Sequence, residues 1–72
     1  GSEILALLHD RVVTMAEGAR NRQAYRNMVA ILRRMATYPQ GKEMVESLIR
    51  AWRGQYPGRK VMLEEMAKWD EY

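Results

Sequence analysis

Two Tyr-Pro pairs, Tyr38-Pro39 and Tyr56-Pro57, interrupt a chain whose apolar residues otherwise recur at helical spacing. Proline lacks a backbone donor and pushes the residue before it out of the helical region, so no helix can run through either pair. In the first stretch Ile4, Leu8, Val12 and Met15, with Leu5 and Ala16, fall within about 120° on a wheel of 100° per residue. Glu3 suits the positive end of that helix, and Gly18 punctuates its other end. A second stretch, from Arg22 to Thr37, gathers Tyr25, Met28, Val29, Leu32, Met35 and Ala36 on one side, with Asn21 as N-cap. The third, from Gly41 to Gln55, sets Met44, Val45, Leu48, Ile49 and Trp52 against Glu43, Glu46, Arg50 and Arg53. The fourth, from Arg59 to Trp69, collects Met62, Leu63, Met66 and Trp69. None of these helices is long enough to hold alone in water. The expected fold is therefore all-α: a small bundle of about four helices with turns near Ala19, Pro39 and Pro57, the last three helices packing as successive antiparallel hairpins. Leu8, Leu32, Leu48 and Ile49 are expected in its core.

The breaks are themselves related. YPQGKEMVESL begins at Tyr38 and YPGRKVMLEEM at Tyr56, matching Lys42 with Lys60, Met44 with Met62, Glu46 with Glu64 and Leu48 with Met66. Each match has a structural role: proline resets the chain, the Met and Leu positions enter the core, and Glu46 with Arg50 or Glu64 with Lys68 follows the favoured i to i+4 charge order. Repeated helices of this length resemble the stacked hairpins of tetratricopeptide-like arrays, although the tetratricopeptide consensus is not matched. A closer resemblance lies in RNRQAYRNMVAILRRM followed by VESLIRAWRGQYPGRKVMLEEM, which is similar to the helical C-terminal tail of bacterial SWIM-type zinc-finger proteins. The matching positions are Tyr25, Leu32, Leu48, Ile49, Arg53, Tyr56, Pro57, Arg59, Met62, Leu63 and Glu65. The zinc-binding cysteines and histidines of that family have no counterpart here, so the resemblance implies a helical scaffold only.

At 72 residues the chain has room for one domain, burying roughly 60% of the surface its unfolded form exposes. It contains no cysteine, so neither a disulfide framework nor a thiolate metal site supplements that core; a reducing, cytoplasmic setting is expected. No apolar run approaches the roughly 18 residues of a membrane span, and nothing resembles a signal peptide, so no membrane association is expected. Gly1 and Ser2 read as the scar of a cleaved expression tag, leaving residues 3 to 72 as a single helical domain.

The net charge of +3 is unevenly placed. From Gly18 to Lys42 there are five arginines and one lysine with no acid, whereas Glu64, Glu65, Asp70 and Glu71 face only Lys68 beyond Val61. Arg22, Arg26 and Arg33 fall within about 40° of each other on the second helix, with Arg34 beside them. Such a stripe can meet phosphates. It can equally be a solvated face whose stems cover the core edge and whose heads meet Glu43, Glu46 or the acidic C-terminal segment.

No catalytic constellation emerges. The single histidine, His9, lies beside Asp10 at the edge of an apolar stripe, the position of a satisfied boundary histidine rather than of a general base. Ser2, Thr14, Thr37 and Ser47 lack a motif, and YPGRK is a turn rather than a phosphate cradle. No enzyme activity, cofactor, metal or small-molecule substrate is expected. The apolar residues, by contrast, exceed what so small a bundle can hide: Leu7, Val13, Ile31, Trp52, Trp69 and Tyr72 cannot all be buried. The expected function is thus a non-catalytic helical interaction or assembly module, as a small protein or as a fragment of a larger one, with a protein partner or a second copy of itself. Its candidate binding residues are Trp52 and Trp69. The alternative is a nucleic-acid-associated helical domain using Arg22, Arg26, Arg33 and Arg34.

Overall fold

The computed structural model of the protein describes residues 2–71, without the side chain of Ser2. Gly1 of the expected scar and Tyr72 of the apolar surplus lie outside those residues. Four helices follow one another: α1 (Ser2–Gly18), α2 (Arg22–Met35), α3 (Gly41–Gln55) and α4 (Lys60–Met66). Among the described residues there is no strand. The accessible surface is 4727 Å², close to the roughly 4,600 Å² of an ordinary folded chain of this mass, so the fold closes on itself without disulfides.

Each junction has a local cause. Asn21 is extended at φ −139°, and its side chain accepts a hydrogen bond from the Ala24 amide at 2.8 Å, starting α2 where the sequence places the cap. At the end of α1, the orphan carbonyls are taken up by side chains. Arg20 donates to the carbonyls of Glu17 and Ala19 at 3.0 and 2.9 Å, and the Tyr25 hydroxyl donates to Ala19 at 3.3 Å. Arg59, arriving from the turn before α4, donates to the Ala16 carbonyl at 2.6 Å. Between α2 and α3, Gln40 adopts a left-handed conformation at φ 67°, and Gly41 follows it against the backbone of Met35.

The centre of the bundle is α2, which packs on all three other helices, most extensively on α1 and α4. Met28, Leu32, Met35, Val12, Val45, Met62 and Met66 are fully buried. Leu48 and Ile49 join them, while Leu8 is half-buried at the margin. The helices depart from the sequence pattern at two places. On α1 the buried edge is Leu5, Val12 and Ala16, continued by Ala19 just beyond the helix, so Leu8 and Met15 are half-buried at its margin and Ile4 is exposed. The apolar arc of α1 is wider than α2 can cover. And α4 ends at Met66 rather than Trp69, followed by tight i to i−3 turns: Lys68 N–H to Glu65, Trp69 N–H to Met66, and Glu71 N–H to Lys68.

Candidate interaction surfaces

The predicted basic stripe meets a buried carboxylate. Glu65 sits on the inner face of α4 beside Met62 and Met66, its side chain only 5% exposed. Arg22 donates from Nη1 to Glu65 Oε2 at 2.5 Å and reaches Glu64 Oε1 at 3.6 Å, while Arg26 Nε stands 3.8 Å from Glu65 Oε1. Lys68 Nζ completes the cluster at 3.2 Å. Burial works against ionisation of Glu65, but the Lys68 ammonium and the Arg22 guanidinium donate to the carboxylate and outweigh it, holding its pKa below the usual value. Two of the four arginines assigned to a possible phosphate face thus tie α2 to α4. Arg34 remains exposed on the outer side of α2, and Arg33 borders a cleft shared with Ala36, Thr37, Trp69 and Asp70.

The two tryptophans part company. Trp52 is 3% exposed, because it continues the α3 face of Val45, Leu48 and Ile49 that the bundle covers whole. Its expected role as a surface anchor is therefore corrected: in this fold it is core. Trp69 is half-buried in the turns after α4 and stands between two clefts. One is the cleft with Arg33; the other, about 480 Å³, is lined by Glu46, Ile49, Arg50, Arg53, Ala67 and Asp70 as well. Arg50 and Arg53, which hydrophobic periodicity assigned merely to an outer face, share a wall with an aromatic ring.

An open groove of about 740 Å³ lies between α1 and α3. His9 forms the α1 wall; Gln40, Glu43, Met44, Ser47, Leu48 and Ala51 form the α3 side. Met44, Leu48 and Ala51 supply an apolar floor, with small Ser47 and Ala51 leaving room above it. Glu43 is the acidic residue of its lining, and Asp10, whose Oδ1 lies 3.3 Å from His9 Nδ1, stands behind the α1 wall. Around the other side of α1, Leu7 is 69% exposed and Ile4 43%. Val13 and Ile31, also counted as surplus, are half-buried against the core. Sequence periodicity identifies the surplus on α1 but not the groove, whose walls come from residues more than thirty positions apart.

Among the described residues no group of three or more histidine, aspartate or glutamate side chains is placed to hold a metal ion, and no helix is long and apolar enough to cross a membrane. Comparison with known protein families, with curated proteins and with solved structures finds no match.

Proposed function

We propose that this chain is a non-catalytic helical interaction module that binds another polypeptide through the uncovered edges of α1. The observation that carries the reading is the mismatch on that helix. It has apolar residues on both sides of its buried edge but packs principally on α2, leaving Leu7 and Ile4 exposed on one flank and an unfilled groove on the other. Exposed leucine alone is ordinary; a largely exposed leucine and a neighbouring isoleucine on one flank of α1, with a groove floored by Met44, Leu48 and Ala51 of α3 along the other, are not. Glu43 beside the groove's apolar floor favours a segment with apolar anchors and a basic residue at one end.

Nucleic-acid association is a second reading, supported by Trp69 lying between Arg33 on one side and Arg50 and Arg53 on the other. Glu46 and Asp70 line the same walls and reduce their positive potential, and Arg22 and Arg26 are engaged by Glu65, so this reading ranks second.

Fluorescence anisotropy separates the two. A labelled cationic amphipathic helical peptide, a labelled duplex and a labelled single strand are titrated with the protein near physiological salt, and its own association is followed in parallel. The interaction reading expects polypeptide binding, to the peptide or to itself, that Ala51→Arg abolishes, and no oligonucleotide binding. Oligonucleotide binding that weakens steeply with salt, with no polypeptide binding, overturns it in favour of the Trp69 site.

A further inference from the structure

The geometry points to head-to-tail self-association, in which the exposed strip of α1 on one copy seats in the α1/α3 groove of the next. This deepens the interaction-module reading and rests on it. The strip consists of Ile4, Leu7 and Arg11, which lie within about 60° of one another on the wheel, with Leu7 about 160° away from His9. Donor strip and acceptor groove therefore occupy opposite sides of one helix. A single copy can use both at once but cannot use one to fill the other.

Three features match the strip to the groove. In length, Ile4 to Arg11 covers seven residue steps of helix, about 10 Å, and Glu43 to Ala51 eight, about 12 Å. Charge matches as well: Arg11, which pairs with no acid among the described residues, closes one end of the strip, and Glu43 lines the groove beside Met44, at the corresponding end of its apolar floor. Shape follows from that pairing. With Arg11 beside Glu43 and the two helices antiparallel, Leu7 falls over Ser47 and Leu48, and Ile4 over Ala51, where the small side chains leave space; Met44, flexible and polarisable, closes around them. A second copy answers both unexplained surfaces together, whereas an unrelated partner filling the groove leaves Leu7 and Ile4 uncovered. Because the two patches differ, the contact is not self-complementary, and it propagates rather than closing as a two-fold dimer.

Sedimentation velocity from about 1 µM to about 1 mM, the range that brackets weak and moderate affinities, tests this. The wild-type chain is expected to grow in mean mass with concentration and to pass beyond dimer. Leu7→Glu removes the donor and Ala51→Arg blocks the acceptor, each at an exposed helical position; each variant alone should associate at least about tenfold more weakly. Mixed in equal amounts, they should form a 1:1 dimer and nothing larger, since each retains the surface that the other lacks. Arg11→Glu should weaken association, and adding Glu43→Arg should restore it. Circular dichroism of every variant reports whether the fold is kept; should either variant unfold, the charge-reversal pair carries the test. A wild-type chain that stays monomeric throughout, or variants that mix without dimerising, overturns self-association. If the monomer nonetheless binds the cationic peptide in its groove, the interaction reading stands and only the identity of the occupant is wrong.

Discussion

The two Tyr-Pro turns begin with the same letters and are built by different physics. In the first, Gly41 N–H donates to the Tyr38 carbonyl at 2.9 Å, Gln40 is left-handed, and Gly41 is pressed so closely on the preceding helix that an added Cβ would lie 1.7 Å from the Met35 carbonyl oxygen. Backbone sterics hold that corner. In the second, Gly58 has open space where a Cβ would go and no positive φ. What holds it is a cation: Arg59 stacks on the Tyr56 ring at 4.1 Å and donates to the Ala16 carbonyl, so the turn is fastened to the end of α1. Glu65, one turn into α4, adds its carboxylate to Arg22 and Lys68. The junction before α3 is thus steric and insensitive to salt or pH, whereas the attachment of α4 is electrostatic and depends on both.

The largest effect should come from testing glycine at each turn. Gly41→Ala is expected to abolish cooperative unfolding or to cost more than about 4 kcal/mol, because the methyl group meets backbone rather than a mobile side chain. Gly58→Ala should instead be neutral or stabilise by about 0.4 to 1 kcal/mol through the unfolded chain. Chemical denaturation of the pair measures both, and equal effects would erase the contrast.

Acid should act next, and only on the second region. The folded pKa of Glu65 lies below its unfolded value, so its contribution is complete above the ordinary carboxylate value of 4.5 and is lost as pH falls from there through the folded pKa. Thermal melts from about pH 7 to about pH 3 should show wild type losing stability over that window, with Glu65→Gln less stable at neutral pH and less sensitive to acid. High salt should move the two proteins closer together. A Gln variant as stable and as acid-sensitive as wild type would mean that Glu65 does not hold α4.

Arg59→Ala should cost about 1.5 to 3 kcal/mol, the range for a hydrogen bond to a charged donor, and should loosen the end of α1 as well as the start of α4. Hydrogen exchange at Ala19 and Leu63, whose amides bond to Met15 and Arg59, reports both ends. The smallest effect belongs to Gln40→Gly, which removes the left-handed strain of a side chain at φ 67° and should stabilise by about 0.5 to 1 kcal/mol.

These differences also mark what local sequence reveals. The start of α2 was legible from Asn21, and both ends of α3 from Pro39, Gly41 and Tyr56-Pro57, because capping and proline chemistry act within a few residues. The early end of α4 was not legible. Met62, Met66 and Trp69 keep helical spacing, but Glu65 occupies the same inner face, and its partners Arg22 and Arg26 lie about forty positions earlier in the chain. A pattern that separates apolar from charged residues sends such a glutamate to solvent. Trp52 was read both as part of the α3 face and as surplus; packing decided for the face. The width of the α1 stripe was visible, yet which edge α2 would cover was not, and that choice creates both the strip and the groove.

Those two edges of α1 are where the molecule is expected to meet another. A dilution series of ¹H–¹⁵N correlation spectra tests this most directly. Concentration-dependent shifts at Ile4, Leu7 and Arg11 together with Glu43, Met44, Ser47 and Ala51, and none around Glu65 or Trp69, is the predicted result. A spectrum unchanged across the series, with shifts at Arg33, Arg50 and Trp69 appearing only when an oligonucleotide is added, would contradict it.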